Sequence, residues 1–235
     1  MAELSKIQVD VLRELSRYPA RRFSDMMAVT GLTSDDFKFH LRKMIKLGLV
    51  VKQDSGFYEL TPEGKELSNR FDYDKLVPIR QPKLTTVMYL RRINPDTQQA
   101  EYLFQQRLRQ PFFDYWGVIG GQVRWGEDFE QAAARGLEEQ TGITSPLTLH
   151  GMYRQRDLKE GSDTVLEDKL FIIYVADWEG EELKDWPYAN SRWMVPSDLV
   201  KQPKYFESCA KMIEIIEAKQ FKLGDGTTVY PTEVY

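Results

Sequence analysis

The sequence predicts an α/β protein in two parts: a small N-terminal helical domain closed by a β-hairpin, and a larger C-terminal domain with a mixed sheet between helices. Three observations predict it. Apolar residues recur at helical spacing up to Gly48, the period then shortens to strand-like runs around a turn, and from Leu84 strands and helices alternate irregularly. At 235 residues the chain can bury two cores, and 42% hydrophobic with 29% charged residues argues against disorder and a membrane protein.

Each element has its own signal. Ile7, Val11, Leu12 and Leu15 share one helical face, with Pro19 as a stop. Met26, Met27 and Val29 make a second short helix that Gly31 breaks. Thr33 or Ser34 caps a third, with Asp35 and Asp36 in its first turn, Phe37, Leu41, Met44 and Ile45 as its buried stripe, and Gly48 as its end. LVVK (49–52) and FYELT (57–61) flank Asp54, Ser55 and Gly56 as a hairpin, and Thr61-Pro62 opens a fourth helix. Residues 71–84 hold Pro78 and Pro82 without a period and are expected to be a linker or entry strand, with the boundary near Asp74; the domains are then 1–74 and 75–235. Beyond it, TTVMYLRRI, AEYLFQQRL, LHGMYRQRD and EDKLFIIYVADW read as strands, residues 129–140 and about 204–219 as helices. The tail KLGDGTTVYPTEVY is extended and turn-rich, with no assigned role.

Charge is unevenly spread. Net charge is −4, but residues 1–70 carry +2 and the remainder −6. The single cysteine, Cys209, excludes an internal disulfide and sits in a helical pattern beside Phe206 and Met212 as a buried small hydrophobe. No apolar run is long enough to cross a bilayer and none leads to a cleavage site at the start, so a cytoplasmic protein without membrane contact is expected.

The order helix, helix, helix, hairpin, helix over residues 5–70, with TGLTSDDFKFHLRKMIKLGLVVKQDSGFYELTPEGKEL, resembles the winged-helix DNA-binding domains of regulators. The resemblance implies that the third helix enters the major groove of double-stranded DNA. Ser34 is then a polar reader, and Lys38, Arg42, Lys43 and Lys46, with Arg21 and Arg22 before the second helix, face bases or phosphates. Winged helices also bind proteins, and Asp35 and Asp36 would repel phosphates.

Gly121 is followed at the right spacing by Glu127, Arg135, Leu137, Gly142 and Ile143, with Trp116-Gly117 upstream and Trp193 downstream. This cassette resembles the Nudix box, and the likeness spans about residues 84–220. It implies an α/β/α sandwich, with Gly121, Glu127, Arg135 and Gly142 as scaffold. In an intact box three carboxylates on one helix face hold Mg²⁺ or Mn²⁺ against a diphosphate. Here those positions are Gly136, Glu139 and Gln140. Glu139 is thus the one metal or catalytic candidate on the helix, with Glu127 beside it, while Glu127, Asp128, Glu130, Glu167 or Asp168 could complete a site after folding. Gly136 within a helix should cost about 1 kcal/mol relative to alanine.

Arginines suit phosphate, and Arg107, Arg109, Arg154 and Arg156 are the chosen ligand contacts, from a set that includes Arg91 and Arg92, with Trp116 as a stacking surface. Two functions follow. One is a homodimeric DNA-binding regulator that senses a phosphorylated metabolite, a nucleoside diphosphate derivative or sugar phosphate, with weak or lost hydrolysis. The other is a Mg²⁺-dependent Nudix pyrophosphohydrolase; a non-DNA interaction protein is a weaker third.

Overall fold

The protein, in a computed structural model, is described over residues 4–218 and 220–235. It divides into two compact units, Met1–Arg80 and Gln81–Tyr235.

In the first unit, α1 (Lys6–Arg17) starts at a capping box of Ser5 and Gln8. α2 (Phe23–Thr30) ends at Gly31, whose φ of 67° is left-handed. α3 (Ser34–Lys46) is capped by Thr33, whose hydroxyl accepts from the Asp36 N–H. The hairpin β1 (Val50–Lys52) and β2 (Tyr58–Leu60) pairs antiparallel, and Arg21 adds a bridge to Tyr58. α4 (Pro62–Asn69) is capped by Thr61, and a Cβ on its Gly64 would lie 2.0 Å from the Leu49 carbonyl oxygen, so only glycine allows this approach. Val9, Leu12, Met26, Phe37, Leu41, Met44, Val50 and Leu60 form one core. Ile45 departs from expectation: it is 40% exposed, because it lies about 100° round the helix from Met44.

The expected linker is also more structured than its composition suggests. β3 (Phe71–Asp72) and β4 (Val77–Pro78) pair antiparallel, Phe71 is buried in the first core, and the Tyr73 hydroxyl lies 2.6 Å from Ser68 Oγ. These contacts hold residues 75–80 in the first unit, beyond the boundary expected near Asp74.

The second unit contains β5 (Lys83–Ile93), β6 (Ala100–Arg107), β7 (Trp116–Gln122), α5 (Phe129–Thr141), β8 (Thr148–Lys159), β9 (Val165–Asp177), β10 (Ala189–Met194), α6 (Pro196–Leu199), α7 (Glu207–Ile216) and β11 (Lys222–Tyr230). Its strands form one seven-stranded mixed sheet in the order β10-β6-β7-β5-β9-β8-β11. β5 runs parallel to β9 and β8 parallel to β11; the other pairs are antiparallel. Alternation along the strands sends Met88, Leu90, Leu103, Ile119 and Ile172 to one face under α5, and Val87, Tyr89, Phe104 and Ile173 to the other under α7. The result is an α/β/α sandwich.

Two expectations change here. The closing helix begins at Glu207 rather than near Lys204, because backbone bonds between Trp116 and residues 204 and 206 hold that segment extended; Lys219 lies outside the described residues. The tail supplies β11, an edge strand. Cys209 is buried, and burial pushes its thiol up to about 12. No helix among the described residues is long and apolar enough to cross a membrane.

Candidate functional site

β7 delivers Gly120-Gly121-Gln122 to the loop that precedes α5. The loop turns at Gly126, with φ 78°, and Asp128 and Gln131 form the capping box of α5. Glu127 closes it onto the helix. Arg135 Nε and Nη2 donate to the two Glu127 oxygens at 2.7 and 2.8 Å, and the Arg124 backbone N–H donates to Glu127 at 2.9 Å. Arg135 Nη2 also donates to the Gln122 carbonyl at 3.1 Å. The Arg135 guanidinium, then the Arg124 N–H, hold the Glu127 carboxyl at about 2, far below its ordinary 4.5. Gly142 ends the helix with φ 76° and donates to the Glu138 carbonyl.

The three helix positions behave differently from one another. Gly136 is buried, and a Cβ there would stand 2.8 Å from the Met88 Cε. Glu139 is half-exposed and sits 3.5 Å from both Arg135 Nη1 and Arg124 Nη2. Gln140 Nε2 donates to the Gly120 carbonyl at 2.9 Å. Sequence reasoning missed Arg124; the signal was a cation three residues before Glu127 in a loop that turns back on α5.

Two of the other expected carboxylates, Glu167 and Asp168, are engaged elsewhere, and Asp128 caps α5. Glu167 is buried and takes up Lys83 Nζ and the Tyr235 hydroxyl, on the face away from α5 by alternation from Ile172. Asp168 accepts from Arg154 Nε and Nη2, at 3.1 and 2.8 Å, which hold its carboxyl below the usual range. Among the described residues no three His, Cys, Asp or Glu side chains converge as a metal-binding group.

Of the chosen ligand contacts, Arg154 and Arg156 follow Met152 by alternation onto the α5 face, where Arg156 donates to Asp225 at 2.6 Å. Arg107 donates to the Pro111 carbonyl, and burial and then neighbouring Arg109 make its guanidinium less basic than usual. Arg109 lies over the Tyr188 ring. β6 and β8 do not pair in the sheet; β5 and β9 lie between them. Trp116 is not an open stacking surface: it is 5% exposed, in the core on the α7 face, with Arg192 over its ring. Arg91 and Arg92 are paired with Asp177 and Glu101.

In the first unit, Ser34, Lys38, Arg42, Lys43 and Lys46 are all exposed on α3. Positions 34, 38, 42 and 46 fall on one stripe, and Lys38 pairs with Asp35 at 3.0 Å. Arg22 is exposed and lies over the Phe57 ring, whereas Arg21 is taken up by Glu14 and Asp25.

Residues 82–214 match the family profile described as NUDIX domain. The chain belongs to the Nudix family. Solved structures similar to it include the NUDIX domain of Shewanella oneidensis NrtR complexed with ADP ribose, at 21% identity over 67% of this chain and 97% of that one, TM-score 0.49. A MutT NUDIX hydrolase from Burkholderia pseudomallei is 24% identical over 58% of this chain and 99% of its own, TM-score 0.46. An Ap4A hydrolase of C. elegans is 18% identical over 57% and 94%, TM-score 0.43.

Nudix hydrolases generally use Mg²⁺ or Mn²⁺, and the residues present do not fit such an ion. Glu139 is the single carboxylate at the three helix positions and already faces two guanidinium groups. Gln140 turns an N–H donor, not an oxygen, toward the Gly120 carbonyl. Glu127, Arg135, Glu139 and Arg124 together are electrically neutral, where carboxylates at 136 and 140 would have added two negative charges.

Proposed function

We propose that this protein is a homodimeric, cytoplasmic DNA-binding regulator: a winged helix in the first unit binds double-stranded DNA, and the Nudix domain of the second unit, from Gln81, senses a phosphorylated metabolite without cutting it efficiently. One observation carries the sensing half. The Glu127–Arg135 scaffold of the box is intact, while Gly136, Glu139 and Gln140 are committed to Met88, to two arginines and to the Gly120 carbonyl. A neutral box that presents Arg124 accepts a diphosphate without a divalent cation to offset repulsion. A nucleoside diphosphate derivative or sugar phosphate is the ligand class, with Arg154 and Arg156, or Arg107 and Arg109, as further contacts.

The DNA half is supported by the exposed stripe of Ser34, Lys38, Arg42 and Lys46, with Lys43 and Arg22 beside it. The second reading is a Mg²⁺-dependent pyrophosphohydrolase; the observation on its side is that Glu139, the one carboxylate left at the three helix positions, is half-exposed, with Glu127 on the same arginine.

Calorimetry with a panel of nucleoside diphosphate sugars, ADP-ribose among them, in EDTA and then in Mg²⁺, separates the two. The regulator binds a panel member equally in both and releases no product. Robust turnover with Mg²⁺, abolished by Glu139→Gln, establishes the hydrolase instead. Selection from genomic fragments at moderate salt must retain a specific duplex, or the DNA half fails.

A further inference from the structure

β11 is an edge strand of the seven-stranded sheet. It pairs with β8 through all nine of its residues, and its other edge has no strand beside it among the described residues. Such an edge, with its row of N–H and C=O groups, is a template for another strand. Lys222 and Asp225 are the only charged residues on it, and Asp225 is already paired with Arg156. Its most exposed apolar side chains are Leu223, at 72%, and Val229, at 57%. They share one face and stand three residues either side of Gly226, the midpoint of the strand.

We infer that two copies of this chain join through β11, paired antiparallel about a two-fold axis at Gly226. That register sets Leu223 opposite the partner's Val229, and Val229 opposite the partner's Leu223. Asp225 falls opposite the partner's Thr227, so no like charges meet directly. On the other face Gly224 and Gly226 leave room for the Tyr153 ring, and a groove of about 490 Å³ runs between β11 and α7. Glu207 lines this groove and follows Phe206, which packs against the cluster of Phe112, Tyr115 and Tyr230. The partner's Lys222 lands opposite Tyr230, on that face and at that end, where Glu207 complements its charge. A second copy therefore satisfies both faces of the strand at once.

The inference specifies the dimer of the proposed regulator but uses neither its metabolite nor its DNA, so failure of either leaves it standing. Light scattering on the full chain should give twice the chain mass, and the Leu223→Lys/Val229→Lys variant the single mass with an unchanged far-UV spectrum. The register is read by cross-linking. Leu223 and Val229 are about 20 Å apart within one strand, so a disulfide in the Leu223→Cys/Val229→Cys variant joins two chains. Mild oxidation should convert that variant to a covalent dimer and leave each single cysteine variant uncross-linked. A single-chain mass for the unmodified protein, a dimer that survives the lysine substitutions, or equal cross-linking by the single variants overturns it.

Discussion

Glu127 shows how far one side chain can be read in physical terms. Its carboxylate receives two guanidinium N–H groups and one backbone N–H, all of which favour the charged form. The folded value is about 2 against an ordinary 4.5, so the contribution of Glu127 to stability is complete above 4.5 and is lost as pH falls toward 2. Urea unfolding of the unmodified chain and Glu127→Gln, followed from neutral pH downward, should show a stability difference that is constant to about pH 5 and then closes. A gap independent of pH would mean that the carboxylate charge does not hold the loop. The Glu127–Arg135 pairing was legible in the sequence through the resemblance to the Nudix box, which implies that both residues belong to the scaffold. Trp116 was not, because an aromatic beside a glycine turn looks the same whether its ring faces a ligand or the α7 core. Only the pairing of β7 with β6 decides which face it takes.

At the scale of elements, α5 was readable nearly to its ends, since Asp128 and Gly142 punctuate it chemically. β11 escaped because Gly224, Gly226 and two threonines carry no apolar alternation; the strand exists because β8 offers it an edge, which is tertiary information. The α5 face also gives a test of why the box does not suit a metal. Restoring carboxylates with Gly136→Glu/Gln140→Glu removes the Gln140 donor from the Gly120 carbonyl and places a new side chain against the Met88 methyl group. Without a cation the double variant should lose about 1–3 kcal/mol from the unpaired polar groups alone. Magnesium should offset that loss, contributing about 2.7 kcal/mol when its concentration is a hundredfold above its dissociation constant. Thermal unfolding with and without Mg²⁺ checks this: the midpoint of the double variant should rise with the metal and that of the unmodified chain should not. If the unmodified chain rises as much, Glu139 and its neighbours hold a cation after all.

For the whole molecule, net charge and the proposed DNA binding pull in opposite directions, since under that proposal a chain of −4 approaches polyanionic DNA through a first segment of only +2. The proposed DNA binding therefore has to rest on the local α3 stripe, and its affinity should fall steeply with salt; Lys43→Ala should lower the slope of log affinity against log salt by about 1. Regulation adds a stricter requirement. A metabolite in the Nudix domain can alter DNA binding only if its affinity differs between the DNA-bound and DNA-free protein, and the coupling is the same from either side. If a saturating nucleoside diphosphate sugar weakens operator binding tenfold, about 1.4 kcal/mol, then saturating operator must weaken that sugar's binding tenfold. Fluorescence anisotropy of labelled operator with and without the sugar gives one factor, and calorimetry of the sugar with and without operator gives the other. Equal factors well away from one establish the Nudix domain as the sensor for the helical one. Two factors of one, with both ligands bound, would leave the two units joined in sequence but unlinked in free energy, and the regulator would have to be given up.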